Sequence, residues 1–283
     1  MKLLVDSGST KADWIAIDDN GKVIFTTQSL GLNPEVLTKE EVIARLENKF
    51  DISHNKLKAT HLYFYGAGCG TDRMKNFLAT VFEDYFSNAI VSVHEDTYAA
   101  VYATTPKNEK AIVCILGTGS NCSYFDGQVL HQKVQSLGYI AMDDCSGNRF
   151  GRHLIRGYYF NNMPLEMAKE FEKEFNVDPD FIKANLYKEP NPNAYLATFA
   201  KFLIKHKDTD FCKKFIKEEL QEFIENYIMQ FENCKEIPVH FVGSIAFYLK
   251  DELTEMLKKY GISIGNVLRR PIDGLIAYHI LNK

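Results

Sequence analysis

The chain has 283 residues, 46% hydrophobic and 25% charged, with a formal net charge of −4. That is enough apolar material for real cores and too long for one small domain, so about two are expected. The acidic balance argues against a nucleic-acid surface, which needs a clustered basic face, and no run of about 18 apolar residues offers a membrane span.

In chain order, KLLV, DWIAID and KVIFTT read as three short strands separated by Asp6-Ser7-Gly8-Ser9 and by Asp18-Asp19-Asn20-Gly21. Asn-Gly between apolar runs is a strong hairpin signal. A helix is predicted over 38–50, opened by a capping box of Thr38 and Glu41. A strand over 61–65, a glycine loop at 66–70, a helix over 71–87, a strand over 89–93 and a helix over 97–104 follow. Pro106 to Glu109 reads as a linker. The opening pattern then recurs: a strand over 111–116, the loop Gly117-Thr118-Gly119-Ser120, a strand over 122–125, an Asp126-Gly127 turn and a strand over 128–133. From Ser146 to Cys234 the spacing is helical, over 146–160, 165–175, 178–187, 194–205 and 211–231. A strand over 239–242 ends at Gly243-Ser244, which opens a helix, and a strand over 262–267 and a helix over 272–281 close the chain.

VDSGSTKADWIAIDDNGKVI and ILGTGSNCSYFDGQVL share one plan: strand, small polar loop, strand, turn at glycine, strand. Such self-similarity indicates duplication of one supersecondary unit; the alternative is chance likeness of two hairpins. Small residues after a strand let backbone amides approach phosphate oxygens, and Ser and Thr hydroxyls add donors. Two such loops, at 6–11 and 117–121, can hold the phosphates of a nucleotide between two domains; the alternative is a pair of tight turns. Asp6 suits a Mg²⁺ site through water, since Mg²⁺ keeps several waters and needs few protein carboxylates. It suits a turn cap equally in type. Lys11 reads either as a phosphate cation or as an exposed strand residue.

DSGSTK at 6–11, GTGS at 117–120 and VGS at 242–244 are similar to the three nucleotide motifs of the sugar kinase/actin/chaperone ATPase superfamily. GLNP (31–34), YGAG (65–68), HED (94–96), GTGSN (117–121), DDCSG (143–147) and the closing Pro271, Gly274, Tyr278 run resemble its N-acetylglucosamine kinase-like branch, which is grouped with the BadF-type ATPases. The motifs span nearly the whole chain in the family's order. The resemblance implies two duplicated ribonuclease H-like α/β domains, each with a mixed five-stranded sheet flanked by helices, and a nucleotide cleft between them. Residues 1–106 would form the first. Residues 107–283 would form the second, with a helical insertion at about 146–234 and a last helix packing back on the first domain.

Site roles follow from the same resemblance. Asp96 falls where these kinases keep the base that accepts the sugar hydroxyl proton, with Glu95 as neighbouring rival and a helix N-cap as the alternative. ATP would be held by Asp6, Gly8, Ser9, Thr10 and Lys11, by Gly117, Thr118, Gly119 and Ser120, and by Gly243 and Ser244 against the nucleoside. The sugar would lie on Asn33, Gly66, Ala67, Asn121 and Asp143 or Asp144. Some positions depart from the family: Ser7, Ser9 and Cys145 stand where glycine is common, and Tyr278 where alanine is common.

The implied activity is ATP-dependent phosphorylation of a free or N-acetylated amino sugar, with ATP and Mg²⁺ as cofactors and no nucleic acid or membrane as partner; a homodimer is as compatible as a monomer. One alternative is a BadF-type activase with an iron–sulfur cluster at a dimer interface, since Cys114, Cys122 and Cys145 lie near the second loop. A sugar sensor without catalysis is a third reading, opposed by the lack of room for a DNA-binding segment before the first strand and by the presence of Asp96. The opening MKLLVDSG is too short an apolar run for a signal peptide, and the six cysteines include no C-x-x-C pair. Reduced thiols in a cytoplasmic protein are expected.

Overall fold

The structure, a computed structural model, describes residues 1–8 and 11–281. The chain divides into two compact units, Met1–Pro106 with the segment from Arg270 onward, and Lys107–Arg269.

In the first unit, β1 (Lys2–Ser7), β2 (Lys11–Ile17) and β3 (Val23–Leu30) form an antiparallel meander, followed by α1 (Lys39–Glu47) and α2 (Phe50–Asn55). Then β4 (His61–Gly66), α3 (Asp72–Tyr85), β5 (Ile90–Glu95) and α4 (Asp96–Thr104) complete two parallel crossovers. The sheet order is β3-β2-β1-β4-β5. Thr38 and Glu41 form the expected capping box of α1. One face of the sheet is covered by α1, α2 and α3, with Trp14, Phe64, Phe82 and Phe86 fully buried among them.

In the second unit, β6 (Ala111–Leu116), β7 (Ser120–Phe125) and the short edge strand β8 (Leu130–His131) repeat the meander. Six helices follow: α5 (Gly147–Tyr159), α6 (Leu165–Glu174), α7 (Pro179–Tyr187), α8 (Pro192–Thr198), α9 (Ala200–Lys205) and α10 (Asp210–Asn226). The unit closes with β9 (Val239–Val242), α11 (Ser244–Tyr248), α12 (Lys250–Lys259) and β10 (Ile264–Leu268). Its sheet order, β10-β9-β6-β7-β8, is the first one repeated strand for strand, with the same parallel and antiparallel pairings. The duplicated unit is therefore a whole five-stranded sheet. The last helix, α13 (Pro271–Leu281), returns to the first unit, where Ile272 and Leu275 are buried against Leu4, Ile15 and Ala99.

Several boundaries differ from the sequence reading. The strand expected over 128–133 shrinks to Leu130–His131, because the Asp126 carboxylate accepts the Gln128 and Val129 amides at 2.8 Å each and holds them in a turn. The helix expected over 194–205 breaks at Phe199, whose ring enters a buried cluster with Phe171 and Phe175. The helix after Ser244 breaks at Leu249, and the one expected over 211–231 ends in a separate 3₁₀ turn at Ile228–Gln230. The phenylalanine-rich spacing of the helical segment is core: Phe150, Phe171, Phe199, Phe202 and Phe223 are all buried.

Candidate active site

Strand register places the first half of the site. β1, β4 and β5 are parallel, and Ser7, Gly66 and Glu95 lie in line at their carboxyl ends. Parallel sheets bind ligands at that edge, where the loops leave the strands. One residue inside it, Asp6 aligns with Tyr65 and His94. Asp96 is one residue beyond it, in the first turn of α4, where its own and the Thr97 backbone amides favour the ionised carboxylate. Glu95 instead lies near Gly70.

The carboxylates of this edge act on one another. Burial, and then the charge of Glu95, pushes Asp96 up to about 6. Burial, and then Asp96 and Asp13, pushes Asp6 up to about 7, although Asp6 keeps part of its surface open to solvent. Lys11 and Arg270 pull Asp6 the other way. Lys11 is exposed and bonds Asp13 through Nζ at 3.0 Å; Asp13 also accepts Gln28 Nε2 at 2.6 Å. Ser9 and Thr10 lie outside the described residues.

Ser7 uses its hydroxyl as a tether. It accepts the Leu32 amide at 2.9 Å, and the Ser7 carbonyl accepts the Ala67 amide at 2.8 Å. These bonds draw the 31–34 stretch and the 66–68 loop onto the end of β1. Asn33 then packs on Gly68, where any Cβ would stand 2.0 Å from Asn33 Oδ1. Asp6, Asn33, Gly66, Ala67 and Asp96 are thus gathered at one edge.

The second unit repeats the plan. Gly117 to Ser120 leave β6 at its carboxyl end, and Gly243 leaves β9 beside them, with an added Cβ 2.2 Å from the Leu116 carbonyl. Ser244 is exposed at the start of the five-residue α11. The Gly117 and Thr118 carbonyls accept the Gly147 and Asn148 amides at 2.8 and 3.0 Å, so the first turn of α5 holds the loop. Asp143 fits against Gly119, where a Cβ would come within 2.7 Å of its carboxylate. It accepts the Ser120 amide at 3.3 Å and Asn148 Nδ2 at 3.0 Å. The Ser120 hydroxyl is buried, with no partner among the described residues, and Thr118 is exposed. Asn121 accepts Ser123 Oγ through its side-chain oxygen at 3.0 Å, which leaves its amide group for other work.

Gly8 and Gly117 differ from the glycines above. A Cβ at Gly8 would meet nothing nearer than 3.7 Å, and one at Gly117 nothing within 4 Å. Internal packing does not require glycine at either place, which suits a cradle kept open for a ligand.

Asp143 and Asp144 point to different neighbours. Asp143 faces the 119–121 loop. Asp144 lies 3.7 Å from Arg149, and burial raises its pKa against the pull of Arg149. Asp144, Glu219 and Glu222 place carboxylate oxygens within 4.8 Å of one another, but Arg149 reaches all three and supplies the cation.

Sequence reasoning missed Asp13, Arg270, Asn148 and Glu219. Asp13 carried a detectable sign, as the one acid inside the apolar run of β2. Glu219 carried none.

No protein-family model and no curated protein matches the chain. Among solved structures, one from Porphyromonas gingivalis that bears the provisional name N-acetylglucosamine kinase is 32% identical, with a TM-score of 0.93, covering 100% of this chain and 99% of that one. A second with the same provisional name, from Chromobacterium violaceum, is 15% identical with a TM-score of 0.68, covering 98% and 99%. A ROK family glucokinase from Streptomyces griseus, in complex with glucose and AMPPNP, is 15% identical with a TM-score of 0.58, covering 99% and 98%. Two mixed five-stranded sheets flanked by helices define the sugar kinase/actin-like ATPase fold. Within it, the chain belongs to the N-acetylglucosamine kinase-like family of sugar kinases.

Proposed function

We propose that this chain transfers the γ-phosphoryl group of ATP to a hydroxyl of a free amino sugar, N-acetylglucosamine or a related hexosamine. The observation that carries the reading is Asp96: a carboxylate at the carboxyl edge of three parallel strands, its pKa raised to about 6 by burial and by Glu95. A base with that pKa is ionised at neutral pH yet basic enough to take a proton as the hydroxyl oxygen attacks phosphorus. The new O–P bond forms as the bridging β–γ bond breaks, and ADP leaves.

Each of the loops at 6–11 and 117–121 is suited to phosphate oxygens of ATP, and the open cradles at Gly8 and Gly117 support this. Gly243 and Ser244 would hold the nucleoside. The raised pKa of Asp6, caused first by burial and then by Asp96 and Asp13, fits a site built for a divalent cation. Asp6 would hold Mg²⁺ through water, and the ion would neutralise charge on the phosphates. Lys11, oriented by Asp13, adds a positive charge at the same edge.

Asn33, Asn121 and Asp143 take the sugar. Asp143 is preferred to Asp144 because Asp144 is engaged by Arg149. Asp143→Ala is expected to raise the sugar KM by about 10- to 100-fold, the effect of losing a charged hydrogen bond. Asp144→Ala should stay within about threefold, because Arg149 keeps Glu219 and Glu222. Steady-state kinetics on both variants checks this.

The activase reading loses support from the thiols. All six cysteines are free and buried. Burial drives Cys114 and Cys145 well above the usual thiol range. Cluster ligation at a dimer interface needs surface thiolates. The kinase reading is tested by ADP release across a panel of hexosamines. At least one should raise the rate above that with ATP alone, and a panel without stimulation overturns the reading.

A further inference from the structure

The loop that carries Asp143 has an unusual backbone. Asp143 (φ 67°) and Cys145 (φ 59°) both lie in the left-handed region, on either side of Asp144. Non-glycine residues other than Asn and Asp seldom enter that region, and they persist there where the surrounding structure holds them. Cys145 is also fully buried, so it cannot relax outward.

One bond restrains the centre of this loop. The Cys145 amide donates to Glu219 Oε2 at 2.8 Å. Glu219 comes from α10, 74 residues later in the chain, and is 1% exposed. Its other oxygen, Oε1, accepts Arg149 Nε at 2.8 Å and His153 Nε2 at 2.5 Å, both from α5. The carboxylate is therefore divided, one oxygen for the loop and one for the helix that follows it. Burial alone would raise its pKa, but His153, the Cys145 amide and Arg149 together hold it below the usual carboxylate range.

We propose that Glu219 is a positioning residue for the sugar site: by clamping the Cys145 amide it keeps the 143–146 loop in its left-handed path and so keeps Asp143 on the Gly119–Ser120 backbone. The assignment of Asp143 to the sugar rests on the function proposed above; the clamp itself does not. Cys145 makes the clamp necessary. Glycine would adopt this φ without strain, and would hold the loop without help.

The test compares wild type with Glu219→Ala, Glu219→Asp, Cys145→Gly and each Glu219 variant combined with Cys145→Gly. Glu219→Asp withdraws the carboxylate by one methylene but keeps its charge, and serves if Glu219→Ala does not fold. The clamp predicts a hexosamine KM raised about tenfold or more in the Glu219 variants, a larger change than in the ATP KM. It also predicts rescue: in the Cys145→Gly background, changing Glu219 should move the hexosamine KM by less than about threefold. A merely structural Glu219 gives no such rescue. Hydrogen exchange of the peptide covering 143–146 reads the clamp without any sugar, and should be about tenfold faster in Glu219→Asp. Unchanged exchange overturns the clamp whether or not a hexosamine is a substrate. Equal KM losses in the cysteine and glycine backgrounds overturn it as well. A wild type that turns over no hexosamine, with faster exchange in Glu219→Asp, overturns the sugar role of Asp143 and leaves the clamp standing.

Discussion

Asp96→Asn is expected to lower kcat by about 10²-fold or more while nucleotide affinity stays within about twofold. Asparagine keeps the size and polarity of the side chain and still fits the first turn of α4. It cannot accept the hydroxyl proton. The loss should therefore fall on kcat and on kcat/KM together, the pattern of an interaction made in the transition state. In the wild type, activity should rise with pH through an apparent pKa of about 6, the value to which burial and Glu95 bring Asp96. The sign follows from its role: only the ionised carboxylate is a base; with saturating Mg²⁺ the Asp6 carboxylate would stay ionised, so the acid limb that remains is that of Asp96. Steady-state kinetics from pH 5 to 8 checks both points, with nucleotide affinity measured by calorimetry.

Asp6→Asn should separate stability from activity. In the folded chain Asp6 is pushed from 3.8 up to about 7, by burial first and then by Asp96 and Asp13. A raised carboxylate pKa means that the folded state holds a proton the unfolded state has released. Stability is then lost as pH rises from about 4 through about 7, the reverse of the usual paired carboxylate. Asparagine removes that charge. At pH 8 without nucleotide, the variant should unfold about 5 °C higher than wild type, and the difference should fade toward pH 4. Its catalytic rate should fall by about 10²-fold or more, since the charge that draws a cation to the phosphates is gone. Facing charges from Asp96, Asp13, Lys11 and Arg270 set the size of both effects, and Lys11→Met should deepen the instability of the wild-type carboxylate. Thermal unfolding across this pH range, with and without Mg²⁺ and ATP, gives the comparison.

Some of this was legible in the chain itself because it depends on local chemistry. Apolar runs that stop at Gly-Ser or Gly-Thr loops announced both copies of the meander, and the repeat of Asp6 to Lys11 by Gly117 to Asn121 pointed to duplication of that supersecondary unit, while the whole duplicated sheet came from the resemblance. Thr38 and Glu41 announced α1 because a capping box lies within one turn. Asp96 was different: its position after a strand suited a simple helix cap, and only the resemblance raised it to a candidate base. What stayed hidden depends on distance along the chain. Glu219 meets Cys145 from 74 residues away, and nothing in the helical spacing of α10 marks it as a buried acid. Asn148 looked like one more polar residue at a helix start, yet it ties Asp143 to the Thr118 carbonyl. The shortness of β8 was missed because the side chain of Asp126 competes with the strand for its amides, a contest that alternation cannot reveal.

The central claim is that phosphate passes from ATP to a sugar hydroxyl rather than to water. Incubating the protein with Mg²⁺, γ-labelled ATP and N-acetylglucosamine or its hexosamine relatives, and separating the products, tests it most directly. The predicted result is label on the sugar, one per ADP formed, with Asp96→Asn forming neither at a comparable rate. Label found only as inorganic phosphate, at a rate no hexosamine changes, would contradict it.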